Sequence, residues 1–432
     1  MQLYSTNHQS PVVSLEEAVF RGLPPDNGLY MPEVIPAMPA SFFEHIQDLS
    51  LQEIAFEVSS VLLGDDISAT DLAQIVERAI TFEAPVVEVE PNKYVLELFH
   101  GPSMAFKDFG ARFMASLMSY FLQKSQKEIR ILVATSGDTG GAVAQGFFNT
   151  PGISVTILYP SGKVSDIQEK QLTTLGGNVK ALEVDGTFDD CQWLVKQAFL
   201  DAELTSRFNL ASANSINISR LIPQSFYYFG TYAQLKKTGK PLVISVPSGN
   251  FGNLSAGVIA YRMGLPVQQF IAATNINNIV PRYLASGYYE PKPSQETISN
   301  AMDVGNPSNF IRMKILGGNS YERVASLISG AYYDDNQTKV ALKDVYERTG
   351  YIMCPHTGVA YLGLSDYMNR IAQDVTGVFL STAHYAKFLD VVEGTLGQQV
   401  PVPERLSALL ELPKQATPMS TQFDDFKAYL LG

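Results

Sequence analysis

The chain has 432 residues, of which 46% are hydrophobic and 17% charged, and its 31 Lys+Arg against 43 Asp+Glu give a net charge of -12. That length allows two to four folding units, and the hydrophobic share is that of a globular protein and excludes a disordered one. The acidic surplus excludes the basic footprint that nucleic acid or an anionic membrane requires, so any phosphate must be held by local amides and a few placed cations.

The opening MQLYSTNHQSPVVSLEEAVF has no basic region followed by an apolar one, which argues against a signal peptide. No apolar run is long enough to span a bilayer. The expectation is a cytoplasmic protein. Residues 1–92 read as a mainly helical unit: Ser14 to Phe20, Ser50 to Leu63 and Asp71 to Ile80 carry helix-period apolar residues, with Ser14 and Thr70 as N-caps for the first and last. Pro-rich breaks (LPPDNG, MPEVIPAMPA) separate the first two.

From Lys93 the rhythm changes to strands alternating with helices. KYVLELF is a strand followed by a helix from Phe106 to Leu122, and IRILVAT precedes a helix from about Asp138 to Phe148. ISVTILY precedes a helix from Val164 to Leu175, and NVKALEV precedes one that ends near Leu200. PLVISVP, QQFIAATN and GVFLSTA continue the series, and the chain after about Pro401 reads as a loop and a terminal helix. Buried strands interleaved with helices predict an α/β fold of parallel sheets wrapped by helices. The two cysteines, Cys191 and Cys354, and five scattered histidines supply neither a disulfide framework nor a metal site. Monomer and dimer are both left open.

Ligands of such folds bind beyond the carboxyl ends of the strands, so the strand-to-helix junctions are where chemistry is sought. The first is ELFHGPSMAFKDFGARFMA, which places Lys107 within the first turn or so of a helix. There the helix dipole and the flanking Met104, Ala105, Phe106 and Phe109 disfavour the ammonium and favour a nucleophilic amine. Taken alone, the spacing fits a surface lysine among core neighbours better. The second junction, TSGDTGGAV from Thr135, suits a carboxylate or phosphate cradle and ordinary capping by Ser136 or Asp138 equally. The third, PSGNFGN, has two glycines that let the backbone wrap an anion, or simply turn the chain. It lacks the lysine of a P-loop and the GxGxxG spacing of a dinucleotide site. SANSINISR brings Asn214, Ser215 and Arg220 to a helix start, YPSGKVS places Lys163 in another loop, and STAH ends the last strong strand. Surface pairing or capping explains each of these separately; together they suit a small, multiply anionic cofactor and substrate bound covalently.

The segments HGPSMAFKDFG, TSGDTG, SANSINISR, PSGNFGN and STAHYAKF together resemble threonine synthase, in the longer form found in bacteria and fungi. The likeness runs from GLYMP to STAHYAKF, nearly the whole chain. It implies the fold type II pyridoxal-phosphate architecture, similar to the tryptophan synthase β chain, with two α/β units, 93–235 and 236–432, around a cofactor cleft and behind the N-terminal extension. It further implies that Lys107 carries pyridoxal 5'-phosphate as a Schiff base and then shuttles protons. Ser248, Gly249, Asn250, Phe251, Gly252 and Asn253 would grip the cofactor phosphate, Thr382 would face the pyridine nitrogen, and Asp138 would lie at the cofactor edge. Ser103, Thr135, Ser136 and Thr139 would meet the substrate, and Lys163, Asn214, Ser215 and Arg220 its phosphate. The implied reaction takes O-phospho-L-homoserine and water to L-threonine and phosphate; the rival within the same fold is a serine or threonine dehydratase. One departure is Tyr385, where the family usually has Pro after the His of STAH.

Overall fold

The computed structural model describes residues 1–125, 128–135 and 137–432. In chain order its strands are β1 (Gln2–Ser5), β2 (Val13–Ser14), β3 (Tyr30–Pro32), β4 (Val86–Glu90), β5 (Lys93–Glu97), β6 (Ile129–Ala134), β7 (Ile153–Pro160), β8 (Val179–Val184), β9 (Asn209–Ser212), β10 (Leu242–Pro247), β11 (Val267–Thr274), β12 (Ile328–Tyr332), β13 (Thr376–Ser381) and β14 (Thr417–Met419). One sheet has six strands in the order β12-β11-β10-β13-β5-β4, parallel except for the β4–β5 pair. A second has five parallel strands in the order β14-β8-β7-β6-β9. Every residue of β10 and β13 is buried. This is why LVISVP and TGVFLS show no polar alternation: helices cover both faces.

The N-terminal segment holds more than the expected helices. A small antiparallel sheet, β2-β1-β3, packs there too. Its strands have four, two and three residues, too few for an alternating pattern to register. Ser14 caps the helix Leu15–Arg21 as expected, its hydroxyl accepting from the Glu17 amide at 3.2 Å. The helix Ala69–Ala79 is capped by Ser68 instead of Thr70, because Ser68 accepts from the Asp71 amide while Thr70 already lies inside the helix.

Two strands lie outside the sheet that their chain neighbours suggest. β5 joins the six-stranded sheet, beside β13, although the helix that follows it packs with the five-stranded unit; β14, at the far end of the chain, completes the five-stranded sheet beside β8. Each pairs with a partner more than two hundred residues away, and such pairing leaves no trace in local periodicity.

The lysine-bearing helix, Lys107–Ser125, is fixed by aromatic packing along one side. Phe109 meets Phe82 at 4.8 Å and Tyr227 at 5.1 Å between ring centroids, and Phe113 meets Phe226 at 5.6 Å. Each fully buried aromatic ring stabilises this placement by about 2–3 kcal/mol.

Candidate active site

Between the two sheets lies a cleft of about 2200 Å³. Its floor is made of strand ends and the loops that follow them: Thr135 and Thr139 after β6, Lys163 after β7, Asn214 and Ser215 after β9, Ser248 to Asn253 after β10, and Thr382 after β13. Lys107 faces the same space. The expected junctions therefore converge, as the carboxyl-end rule for parallel sheets requires.

Lys107 is the first residue of its helix. The loop before it is stitched to the STAH segment: the Phe106 amide donates to the Thr382 carbonyl at 2.8 Å, the His384 amide donates to the Met104 carbonyl at 3.1 Å, and Ala105 pairs with Ala383. Met104 takes a positive φ of 56°, a costly backbone conformation for a side chain of its size, which persists because both flanks are held. Burial lowers the pKa of the Lys107 amine to about 8. The Asp138 carboxylate opposes that shift, while the cations of Lys387 and Arg220 add to it. Relative to an ordinary lysine, the free-amine fraction near pH 7 rises by roughly 300-fold.

The cradle after β10 is formed by close approach. A Cβ on Gly249 would lie 2.7 Å from both the Ala301 carbonyl oxygen and Met302 Cα, so only glycine fits. Phe251 adopts φ 60° and opens the helix Gly252–Arg262, whose first amides point free. Asn253 is buried; its Oδ1 accepts from the hydroxyls of Tyr227 and Tyr228, each at 2.7 Å, and its Nδ2 has no partner. A helix N-terminus with an unspent buried donor suits a phosphate dianion, and an amine of depressed pKa beside it suits an aldehyde. The residues present thus fit pyridoxal phosphate.

The remaining expected residues divide. Thr135, Thr139, Lys163, Asn214, Ser215, Arg220 and Thr382 all line the cleft. The Thr135 hydroxyl accepts from the amides of Gly137 at 3.0 Å and Gly140 at 2.9 Å, shaping the loop that leads into Asp138–Phe147. Arg220 is almost wholly buried, its guanidinium donating to the carbonyls of Ala213 and, at 3.5 Å, Lys107, with Nε unpartnered. Gly110 permits this, since a Cβ there would stand 2.7 Å from Arg220 Nε. Asn250 donates to the Ser215 hydroxyl at 2.9 Å, tying the cradle to the Asn214–Ser215 loop.

Two residues take other places than expected. Ser103 is fully buried and lies off the cleft lining; its carbonyl accepts from Lys387 Nζ at 2.9 Å and Gln171 Nε2 at 2.8 Å. Asp138 also lies off the cleft lining, as the anionic half of an ion pair with Lys387 at 2.6 Å, and accepts from Gln168 Nε2 at 3.0 Å. Despite burial, these donors and cations hold the Asp138 carboxyl far below its usual range. Ser136 lies outside the described residues. Tyr385 begins a short 3-10 turn and donates from its hydroxyl to the Pro401 carbonyl at 2.9 Å, fastening the STAH segment to the tail.

Sequence reasoning passed over three groups. Lys387 stood within the quoted STAHYAKF, a lone cation among apolar residues, which was the available signal. His356 lines the cleft, accepts from the Ala301 amide at 3.2 Å and is kept neutral, its pKa pushed down to about 4 by burial. Arg312 is fully buried and donates to Asn309 Oδ1 at 2.7 Å and to the carbonyls of Tyr30, Ser215 and Ile216. Nothing local marks that role.

Three family profiles match the chain: "Pyridoxal-phosphate dependent enzyme" over residues 84–382, "Threonine synthase N terminus" over 2–80 and "Threonine synthase, C-terminal" over 357–430. The chain is 46% identical to threonine synthase of Haemophilus influenzae over the full length of both, and 45% identical to that of Escherichia coli across 96% of this chain and 95% of the other. The crystal structure of the Escherichia coli threonine synthase superposes with a TM-score of 0.93 at 43% identity, covering 100% of this chain and 99% of that one. A threonine synthase from Brucella melitensis, solved with pyridoxal phosphate bound, also gives 0.93, at 34% identity, covering 100% of this chain and 98% of that one. Parallel sheets around a cleft, an activated lysine at a strand–helix corner and this likeness along the entire chain agree: the chain belongs to the threonine synthase family of pyridoxal-phosphate-dependent enzymes.

Proposed function

We propose that this chain converts O-phospho-L-homoserine and water to L-threonine and inorganic phosphate, with Lys107 as the residue that bonds to the cofactor aldehyde and afterwards moves protons. The carrying observation is that Lys107, an amine of lowered pKa, faces a cleft lined by two adjoining sets of polar residues suited to anions. One is the Ser248–Asn253 cradle, where the helix amides and Asn253 Nδ2 would hold the cofactor phosphate. The other comprises Lys163, Asn214, Ser215 and Arg220, which suit the phosphate of the substrate. A plain hydroxy-amino-acid dehydratase has no use for the second set.

When bound, pyridoxal phosphate supplies the electron sink that makes the substrate Cα and Cβ protons removable. The protein's share is acid–base work and placement. Lys107 would take the Cα proton and return protons to the substrate carbons. Thr382, on the cleft lining, would offer a hydroxyl to the pyridine nitrogen, which would leave the ring less fully protonated than a carboxylate would. Thr135 and Thr139 bracket the substrate carboxylate. In the net change the Cγ–O bond to phosphate breaks and Cγ gains a hydrogen, while Cβ loses one and takes the hydroxyl of water, whose remaining proton leaves with the phosphate.

Reaction in ¹⁸O-labelled water tests this directly. The expected result is L-threonine labelled at the β-hydroxyl, formed one for one with free phosphate. Release of a 2-ketoacid in place of threonine would move the chain to the dehydratase reading.

A further inference from the structure

Lys387 is buried to 0% exposure of its side chain, and its ammonium touches groups on two other segments. It pairs with Asp138 at 2.6 Å, on the loop after β6, and donates to the Ser103 carbonyl at 2.9 Å, on the loop before Lys107. Its own carbonyl accepts from Ser165 Oγ at 3.1 Å, at the start of the helix Asp166–Thr173, whose Gln168 also reaches Asp138. The segment bearing Thr382, the lysine loop, the loop of Thr135 to Thr139 and that helix therefore meet at one buried ammonium. A lysine so placed is costly unless its charge is used, since apolar residues of similar volume would often fill the space with equal or better stability.

The charge has an evident use. Among the described residues, the charged and titratable groups that act on Lys107 are Asp138, Lys387, Arg220 and His356, the last held neutral. Asp138 alone would draw a proton onto Lys107. Paired with Lys387, it is largely cancelled.

We propose that Lys387 is a positioning residue of the reaction: it clasps Asp138 and Ser103 so that three loops of the site form one frame, and it neutralises Asp138 so that the Lys107 nitrogen stays ready to lose its proton. This rests on the role of Lys107 proposed above and adds a residue to the same site.

The test uses the full chain freed of cofactor, so its outcome is separate from that of any turnover assay. The pKa of Lys107 is read by competitive acetylation with acetic anhydride across pH, followed by mass spectrometry of the Lys107 peptide. The parent should titrate at about 8. In Lys387→Met the midpoint should rise by about one unit or more, since Asp138 is left to stabilise the cationic amine. In Asp138→Asn it should fall by about the same amount, since Lys387 is left to repel it. The double variant should return near the parent. A purely structural role would shift both single variants in the same direction, so like-signed shifts, or none, would overturn the proposal. Should Lys387→Met fail to fold by circular dichroism, Asp138→Asn decides alone: a fall supports the proposal, and a rise or no change defeats it.

Discussion

At the scale of single residues, solvation decides which cations work as acids or bases and which serve as clamps. Lys107 is only half-buried and, among the described residues, no carboxylate bonds to its amine, so its charge is cheap to lose. Lys387 is wholly enclosed and holds Asp138. Arg220 is intermediate: it lines the cleft yet spends two donor groups on backbone carbonyls, one of them that of Lys107. Lys163, by contrast, is exposed at the cleft. Steady-state kinetics should separate the two. Lys163→Met should raise KM for O-phospho-L-homoserine by roughly tenfold with kcat nearly kept, the pattern of a lost binding charge. Arg220→Met should lower kcat as well, because the peptide carrying Lys107 loses a support. The junction residues were legible because their chemistry is concentrated in short motifs. Ser103 lies off the cleft lining, because a motif gives the order of residues and not which of them the loop buries.

At the scale of elements, the cleft depends on segments that have no chemistry of their own. Asn309 donates to the Asn250 carbonyl at 3.0 Å and receives Arg312 at 2.7 Å, so the helix Phe310–Leu316 braces the phosphate cradle from behind. Arg312 reaches onward to the Tyr30 carbonyl on β3 at 2.9 Å, which gives the N-terminal sheet a direct hold on the site. Arg312→Met would strand these buried acceptors. The expected effect is a loss of about 3 kcal/mol in denaturant unfolding, with weaker cofactor retention; unchanged stability would refute the bracing role. The helices and buried strands could be read from the sequence because period and burial agree in them. β1, β2 and β3 could not, being shorter than the pattern that defines a strand. β9 and β12 were passed over for a similar reason: NLAS and ISGAY are short and contain small or polar residues.

At the scale of the molecule, the chain closes on itself. β14 and the helix Phe423–Leu431 bury Met419, Phe426 and Leu430 against the five-stranded sheet, beside Leu132, Leu158 and Leu182. Removing residues 415–432 should cost roughly 5 kcal/mol of stability, seen as a lowered unfolding midpoint, since three apolar side chains and an edge strand are lost. Parallel sheets wrapped by helices were foreseeable from alternation of strand and helix, and their division into two units from the family resemblance. The swap of β5 and β14 between sheets was not, because parallel partners far apart in sequence share no local code. All these levels converge on one nitrogen, and its removal is the most direct trial of the whole account. Phosphate release from O-phospho-L-homoserine, compared between the parent holoenzyme and Lys107→Ala, should fall by three or more orders of magnitude, roughly the weight of a lost covalent and acid–base residue. Turnover within about tenfold of the parent would contradict it.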